Sequence, residues 1–310
     1  MAVGAKLLKT RACAIMAAMH MTLRNAALAA PLAAALLVVL ATPSAADKLA
    51  PTESAAVPPA ATLAGDGFRL SYDVYKSGFR ALSLDFDVAL DGDGYRTDAR
   101  LESAGIIGLL FAWRLDAVSK GQMQNASVVP QDHRFANHWR GRVRTVEIGY
   151  EAGVPSQVRA EPPYGEDAKR AVSADLLPGA VDPMSAVTAI VLENATGALC
   201  RPTTAVYDGR RRYDAQLTPL GAKILKASNY APYAGPAEGC RLNFQRIAGF
   251  KEGDDRMQKM SIDIWLADVG AGRGKVPVRL ELNTPWGVGF AHLVRAHGSG
   301  DKLVFGDAGE

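Results

Sequence analysis

From Phe68 onward, large apolar side chains recur at every second position, and that spacing constrains the fold more than any other property of the chain. Phe68, Leu70, Tyr72 and Val74 share one parity. So do Leu82, Leu84, Phe86, Val88 and Leu90, interleaved with Ala81, Ser83, Asp85, Asp87 and Ala89. Met260, Ile262, Ile264 and Leu266 repeat the pattern, as do Val276, Val278, Leu280 and Leu282. A period of two sets one face of a strand against a core and the other in water. One wet face favours antiparallel over parallel sheet, and the train of helical segments that βαβ crossovers need is missing. Asp91-Gly-Asp-Gly94, Glu151-Ala-Gly153 and Ala271-Gly-Arg-Gly274 punctuate the runs as turns. The expected fold is mainly β: a curved antiparallel sheet or open β-barrel with one covering α-helix.

That helix is signalled at Asp182-Pro183, a capping side chain followed by proline at the first helical position. Met184, Val187, Ile190 and Val191 follow at helical spacing, with Gly197 as terminator. The spacing predicts that Met184, Val187 and Ile190 are buried against the sheet as a plug or cover.

The N-terminal 46 residues hold Lys6, Lys9, Arg11 and Arg24 and no acid, then the apolar run Ala26–Leu40 and the small residues Ser44-Ala45-Ala46. This is a secretory leader with cleavage between Ala46 and Asp47. The apolar run contains Pro31 and is shorter than a membrane span requires, so no transmembrane segment remains after cleavage. Its long basic region leaves Met1, Met19 and Met21 as alternative starts. The reading divides the chain into a signal peptide (1–46), an Ala/Pro-rich linker (47–65), one β-rich domain (66–297) and a polar C-terminal tail (298–310).

Export settles what charge and cysteine mean. The whole chain has 35 basic and 32 acidic side chains, and four of the basic ones belong to the leader. The mature chain is then near neutral and carries no signal for nucleic acid. Cys13 leaves with the leader, and Cys200 and Cys240 remain in an oxidising compartment, where they are expected to form one disulfide. Two cysteines without nearby histidines fall short of a zinc site, and no metal or cofactor is expected.

Between the cysteines, Tyr213, Ala215 and Leu217 alternate with Arg212, Asp214 and Gln216 behind the turn dipeptide Asp208-Gly209. Asp182-Pro183-x-Ser185 at a helix start, with Tyr207-Asp-Gly-Arg-Arg-x-Tyr213, resembles the pattern of the domain-of-unknown-function 3108 family, exported bacterial proteins. The early Tyr72…Gly78 segment also fits. The resemblance spans about Phe68 to Arg295 and implies a periplasmic, predominantly β protein. More loosely, the curved sheet is similar to lipoprotein-carrier and envelope-integrity proteins built as open barrels around an apolar interior. The resemblance carries over no catalytic residue.

The mature chain has four histidines, His133, His138, His292 and His297, and none of the common hydrolase or phosphate-binding motifs. The enzyme reading therefore rests only on a Ser/His/Asp set assembled in space. Two stretches stand out as a ligand site. Gly105-Ile-Ile-Gly-Leu-Leu-Phe-Ala-Trp113 interrupts the alternation and reads either as core or as an apolar lip at a barrel mouth, with Ile106, Ile107, Leu109, Leu110 and Trp113 as its contact residues. Gly105 and Gly108 would let such a lip move. His133, Arg134, His138, Arg140, Arg142 and Arg144 surround Trp139 and read either as a solvated face paired with acids or as an anion site, with Arg140, Arg142 and Arg144 as the headgroup contacts. The leading functional expectation is a non-enzymatic periplasmic binder of an apolar or lipid-like molecule, held against the inner face of the sheet. The alternatives are a structural module that binds an envelope protein partner, and a periplasmic hydrolase.

Overall fold

A computed structural model describes residues 66–124, 127–164, 170–195, 199–200, 203–270, 274–298 and 302–304. The expected leader (1–46) and linker (47–65) lie outside these residues. The strands are β1 (Asp66–Lys76), β2 (Phe79–Asp91), β3 (Gly94–Ser103), β4 (Trp113–Gln124), β5 (Ser127–Trp139), β6 (Arg142–Glu151) and β7 (Val154–Glu161). They continue as β8 (Thr203–Tyr207), β9 (Arg212–Leu225), β10 (Gly235–Ala248), β11 (Ser261–Asp268), β12 (Lys275–Thr284), β13 (Gly287–His297) and β14 (Lys302–Val304). Among the described residues two α-helices interrupt them, α1 (Gly105–Leu110) and α2 (Pro183–Ala195), besides a single 3-10 turn at Ala174–Leu176.

Two antiparallel meanders, β1–β7 and β8–β13, are joined where β13 pairs with β1, giving the order β7-β6-β5-β4-β3-β2-β1-β13-β12-β11-β10-β9-β8. β14, in the stretch expected to be a tail, pairs with β13. The alternating residues fall on one face as the period of two requires. Phe68, Leu70, Tyr72, Leu84, Phe86, Val88, Ile262, Ile264, Leu280 and Leu293 belong to one continuous buried cluster.

β7 and β8 do not pair, so the barrel is nearly closed rather than closed. The seam is filled in two ways. Val181 forms a parallel bridge to β8, its N–H donating to Ala205 O at 2.9 Å while Tyr207 N–H donates to Val181 O at 2.8 Å. Beside it, Ile148, Ala180 and Tyr207 are buried together with Val146, Leu177 and Val172. The turn after β8 is pressed against β6, since a Cβ on Gly209 (φ +87°) would lie 2.7 Å from Val146 Cγ1. Asp208 accepts from the N–H groups of Arg210 and Arg211 at 2.9 and 2.6 Å and fixes that turn. Burial raises the Asp208 carboxyl above its usual range despite Arg211.

The helix lies inside. α2 touches β3, β4, β5, β8 and β12, which stand on different sides of the barrel. Met184, Ala186, Ile190 and Val191 are buried, but so are Ser185 and Thr188, and Val187 is only half-buried. The polar positions are satisfied by the wall: Tyr95 Oη lies 2.8 Å from Ser185 Oγ, and Thr97 Oγ1 lies 2.8 Å from Thr188 Oγ1. Cys200 and Cys240 are bonded, with Cα atoms 5.5 Å apart, tying the chain between α2 and β8 to the buried face of β10.

This corrects one expectation. The inner face of the sheet, read from the sequence as the place for a ligand, is occupied by the buried cluster and by α2. The outer wall is polar and laced with ion pairs: Arg100 and Arg114 share Asp116, Arg134 pairs with Glu147, and Arg241 pairs with Asp263.

Candidate functional site

Two groups of residues invite a chemical reading, one inside the barrel and one at its end. Inside, Asp182 is fully buried at the start of α2. Its Oδ1 accepts from Ser185 N–H at 2.9 Å, the capping bond predicted from the sequence, and from the Ser119 hydroxyl at 2.6 Å. Its Oδ2 accepts from the Ser185 hydroxyl at 2.5 Å. His133 Nδ1 lies 3.0 Å from Asp182 Oδ1 and 2.9 Å from Ser119 Oγ. Burial alone would raise the Asp182 carboxyl, but His133 and the two serine hydroxyls outweigh it and hold it at about 2.

This is a Ser/His/Asp set, yet its geometry is wrong for a relay. A relay needs the hydroxyl and the carboxylate on opposite ring nitrogens, so that one takes the proton while the other steadies the imidazole. Here both sit on Nδ1, the hydroxyl donates to the carboxylate, and Ser119 is fully buried. Together with the Tyr150 hydroxyl, 3.4 Å from Asp182 Oδ2, the group anchors the helix to β4, β5 and β6.

The second group stands at the end of the barrel where the β1–β2, β3–β4, β5–β6 and β12–β13 connections emerge. α1 forms the β3–β4 connection and has no buried residue. Ile106 is 68% exposed, Leu109 87%, Leu110 69% and Ile107 37%. The core reading of this stretch is therefore corrected for Ile106–Leu110: α1 sits on a hairpin, and among the described residues nothing buries it. Gly105 and Gly108 are not hinges in this arrangement. A Cβ at Gly105 would lie 2.9 Å from Arg80 O, and one at Gly108 would lie 2.8 Å from Ser103 O, so both glycines permit close backbone packing. The Ser103 hydroxyl donates to Phe111 O at 2.7 Å and closes the base of the loop.

Trp113 separates from the rest of its stretch. It is buried in β4, its Nε1 donating to Asn137 Oδ1 at 2.9 Å beneath the mouth. It pairs with Trp139, whose neighbour across β6 is Arg142, while Asn137 faces Arg144. Arg142 and Arg144 share the parity of Val146 and Ile148, so they stand on the inner side of the wall where it reaches the open end, and both are exposed. Arg140 is placed over the Trp139 ring at 5.2 Å. No ion pair holds these three arginines among the described residues. The basic cluster expected around Trp139 is split by strand parity. His133 points inward to Asp182, whereas Arg134 and His138 face outward to Glu147 and Asp116.

Sequence reading missed the neighbours of α1. Phe79 (64% exposed), Trp286 and Val288 stand at the same end, and Lys76 Nζ donates to Trp286 O at 3.0 Å. Ser77-Gly-Phe79 and Pro285-Trp286-Gly287 were readable as turns carrying a large aromatic residue, which is the signal that would have found them.

The family model described as "Protein of unknown function (DUF3108)" matches residues 69–294. No curated protein matches. Among solved structures, the chain is similar to a beta-barrel-like protein of the domain of unknown function DUF1849 from Brucella abortus, with 12% identity and a TM-score of 0.45 over 76% of this chain and 99% of that one. It is also similar to a putative lipoprotein from Parabacteroides distasonis, with 10% identity and a TM-score of 0.31 over 74% and 94% of the two chains. Among the described residues, no helix is long and apolar enough to cross a membrane.

Proposed function

The chain belongs to the DUF3108 family, and from that premise we propose that it is a non-enzymatic protein of the periplasmic cell envelope that engages an apolar, lipid-like ligand at the mouth of its barrel. One observation carries this reading: Ile106, Ile107, Leu109 and Leu110 are left in water at the end of a barrel whose inner face carries the buried cluster and α2. An apolar cluster of that size needs a reason to stay exposed, and folding does not supply one. Arg140, Arg142 and Arg144 stand beside it as forked donors suited to an acidic headgroup. The leader reading and the Cys200–Cys240 disulfide support export. The inward-facing anchor formed by Ser119, His133 and Asp182 weighs against hydrolysis.

The competing reading is a module that binds an envelope protein through the same apolar end, favoured by the aromatic side chains of Phe79 and Trp286. Native mass spectrometry of protein purified from its own compartment separates the two. A retained lipid, together with saturable binding of a fluorescent fatty acid, is the expected result. A co-purified protein with no fatty-acid binding overturns the lipid reading and leaves the partner module in its place.

A further inference from the structure

Resting on that reading, we infer that the mouth meets its lipid as a surface: α1, Phe79 and Trp286 dock the barrel end-on against an anionic bilayer. The shape of the patch is the first argument. Its apolar side chains come from three separate places, the start of β2, α1 and the β12–β13 turn, and all are exposed at one end of the barrel. A single acyl chain laid across such a patch leaves much of it wet, whereas a membrane interface covers all of it at once. Trp286 and Phe79 have the amphipathic or purely apolar bulk that settles at the headgroup boundary.

Charge is the second argument. Arg140 on the neighbouring β5–β6 turn and Arg142 and Arg144 at the start of β6 are exposed, with no carboxylate partner among the described residues. Lys76 adds a fourth cation beside Trp286. Of the acids nearby, Asp73 is already paired with Arg80, while Glu102 at the end of β3 and Glu161, opposite Thr145 on β7, remain exposed. The other half of the same rim is different. The loop between β10 and β11 pairs its own charges, Asp254 with Arg256 and Asp255 with Lys259, and offers no excess of cations. An apolar stripe flanked by arginines that have no ion pair among the described residues is complementary to phospholipid headgroups over acyl chains, and less so to a neutral protein surface.

The test is flotation of the mature chain with vesicles of phosphatidylcholine alone and of phosphatidylcholine mixed with phosphatidylglycerol. The wild type is expected to float with the mixed vesicles and to be released by salt. Leu109→Ser with Leu110→Ser is expected to reduce the bound fraction roughly tenfold or more while its melting temperature stays that of the wild type. Arg142→Ser with Arg144→Ser is expected to weaken binding to the mixed vesicles by roughly fivefold per arginine and to erase the preference over phosphatidylcholine. Equal flotation with both vesicle types, or early melting of the leucine variant, overturns the inference. If a soluble fluorescent fatty acid binds but no vesicle does, the surface inference fails and the lipid-ligand reading stands. If neither binds, both fail.

Discussion

α1 and α2 reverse what hydropathy alone would assign them. α1 contains only glycine, isoleucine and leucine, yet buries nothing. α2 carries Ser185 and Thr188 and starts at an aspartate, yet all three polar groups are fully buried. The difference comes from where each connection lands. α1 spans a short hairpin between neighbouring strands at an open end, with no element above it among the described residues. The connection holding α2 must run from β7 to β8, the two edges of an incomplete barrel, and its course takes it through the interior. Burial here is decided by topology, and the wall supplies hydroxyls and an imidazole where the helix brings polar groups. The apolar surface that topology leaves outside is the surface that the proposed ligand would meet.

If α2 is held by its polar anchor, breaking the anchor must be costly. Asp182→Ala leaves His133, Ser119 and the first turn of α2 without their acceptor and is expected to destabilise by about 3–5 kcal/mol, read from denaturant unfolding. Asp182→Asn keeps an acceptor for Ser185 N–H and is expected to cost less. Equal stability of Asp182→Ala and wild type would mean that α2 is not locked in place.

The interior position of α2 was hard to read from sequence for a definable reason. Ser185 and Thr188 look like a wet helix face, and their partners, Tyr95 and Thr97, lie 90 and 91 residues away. The strands were legible because period two is a local signal, as Leu82 to Val88 on β2 show. The cap at Asp182 was legible for the same reason, since Ser185 is three positions on. Apolar content alone leaves the lip at Ile106–Leu110 undecided between core and mouth, because it says nothing about what stands above a loop. The arginines near Trp139 divide by parity, a split that becomes visible only once β5 and β6 are paired.

A milder test loosens the far end of the same helix. Replacing Cys200 and Cys240 with Ala removes the tie between the segment after α2 and β10, and is expected to lower stability by up to about 3–4 kcal/mol. Fast exchange should appear in α2 before it appears in β1 or β2.

Acid separates anchor from wall more gently still. His292 is enclosed by Tyr75, Phe290 and Arg279, and burial, then Arg279, lowers it to about 4. The unfolded chain takes up that proton near 6.5, so the stability His292 contributes is present above 6.5 and is lost as pH falls towards 4. Asp182, held at about 2 against its ordinary 3.8, loses its contribution only as pH falls from 3.8 towards 2. Melting temperature against pH should therefore decline in two steps, and His292→Phe should flatten the first and leave the second. A single step below 4 in both proteins would contradict the assignment.

Hydrogen exchange read by mass spectrometry, with and without lipid vesicles, tests most directly whether the exposed helix rather than the interior meets the ligand. The predicted result is fast exchange of the Gly105–Leu110 amides in the free protein, slowed by lipid, with the Pro183–Ala195 amides slow in both conditions. Faster exchange across Pro183–Ala195 on adding lipid, with Gly105–Leu110 unchanged, would show that the plug leaves and the ligand enters the barrel, and would contradict the account.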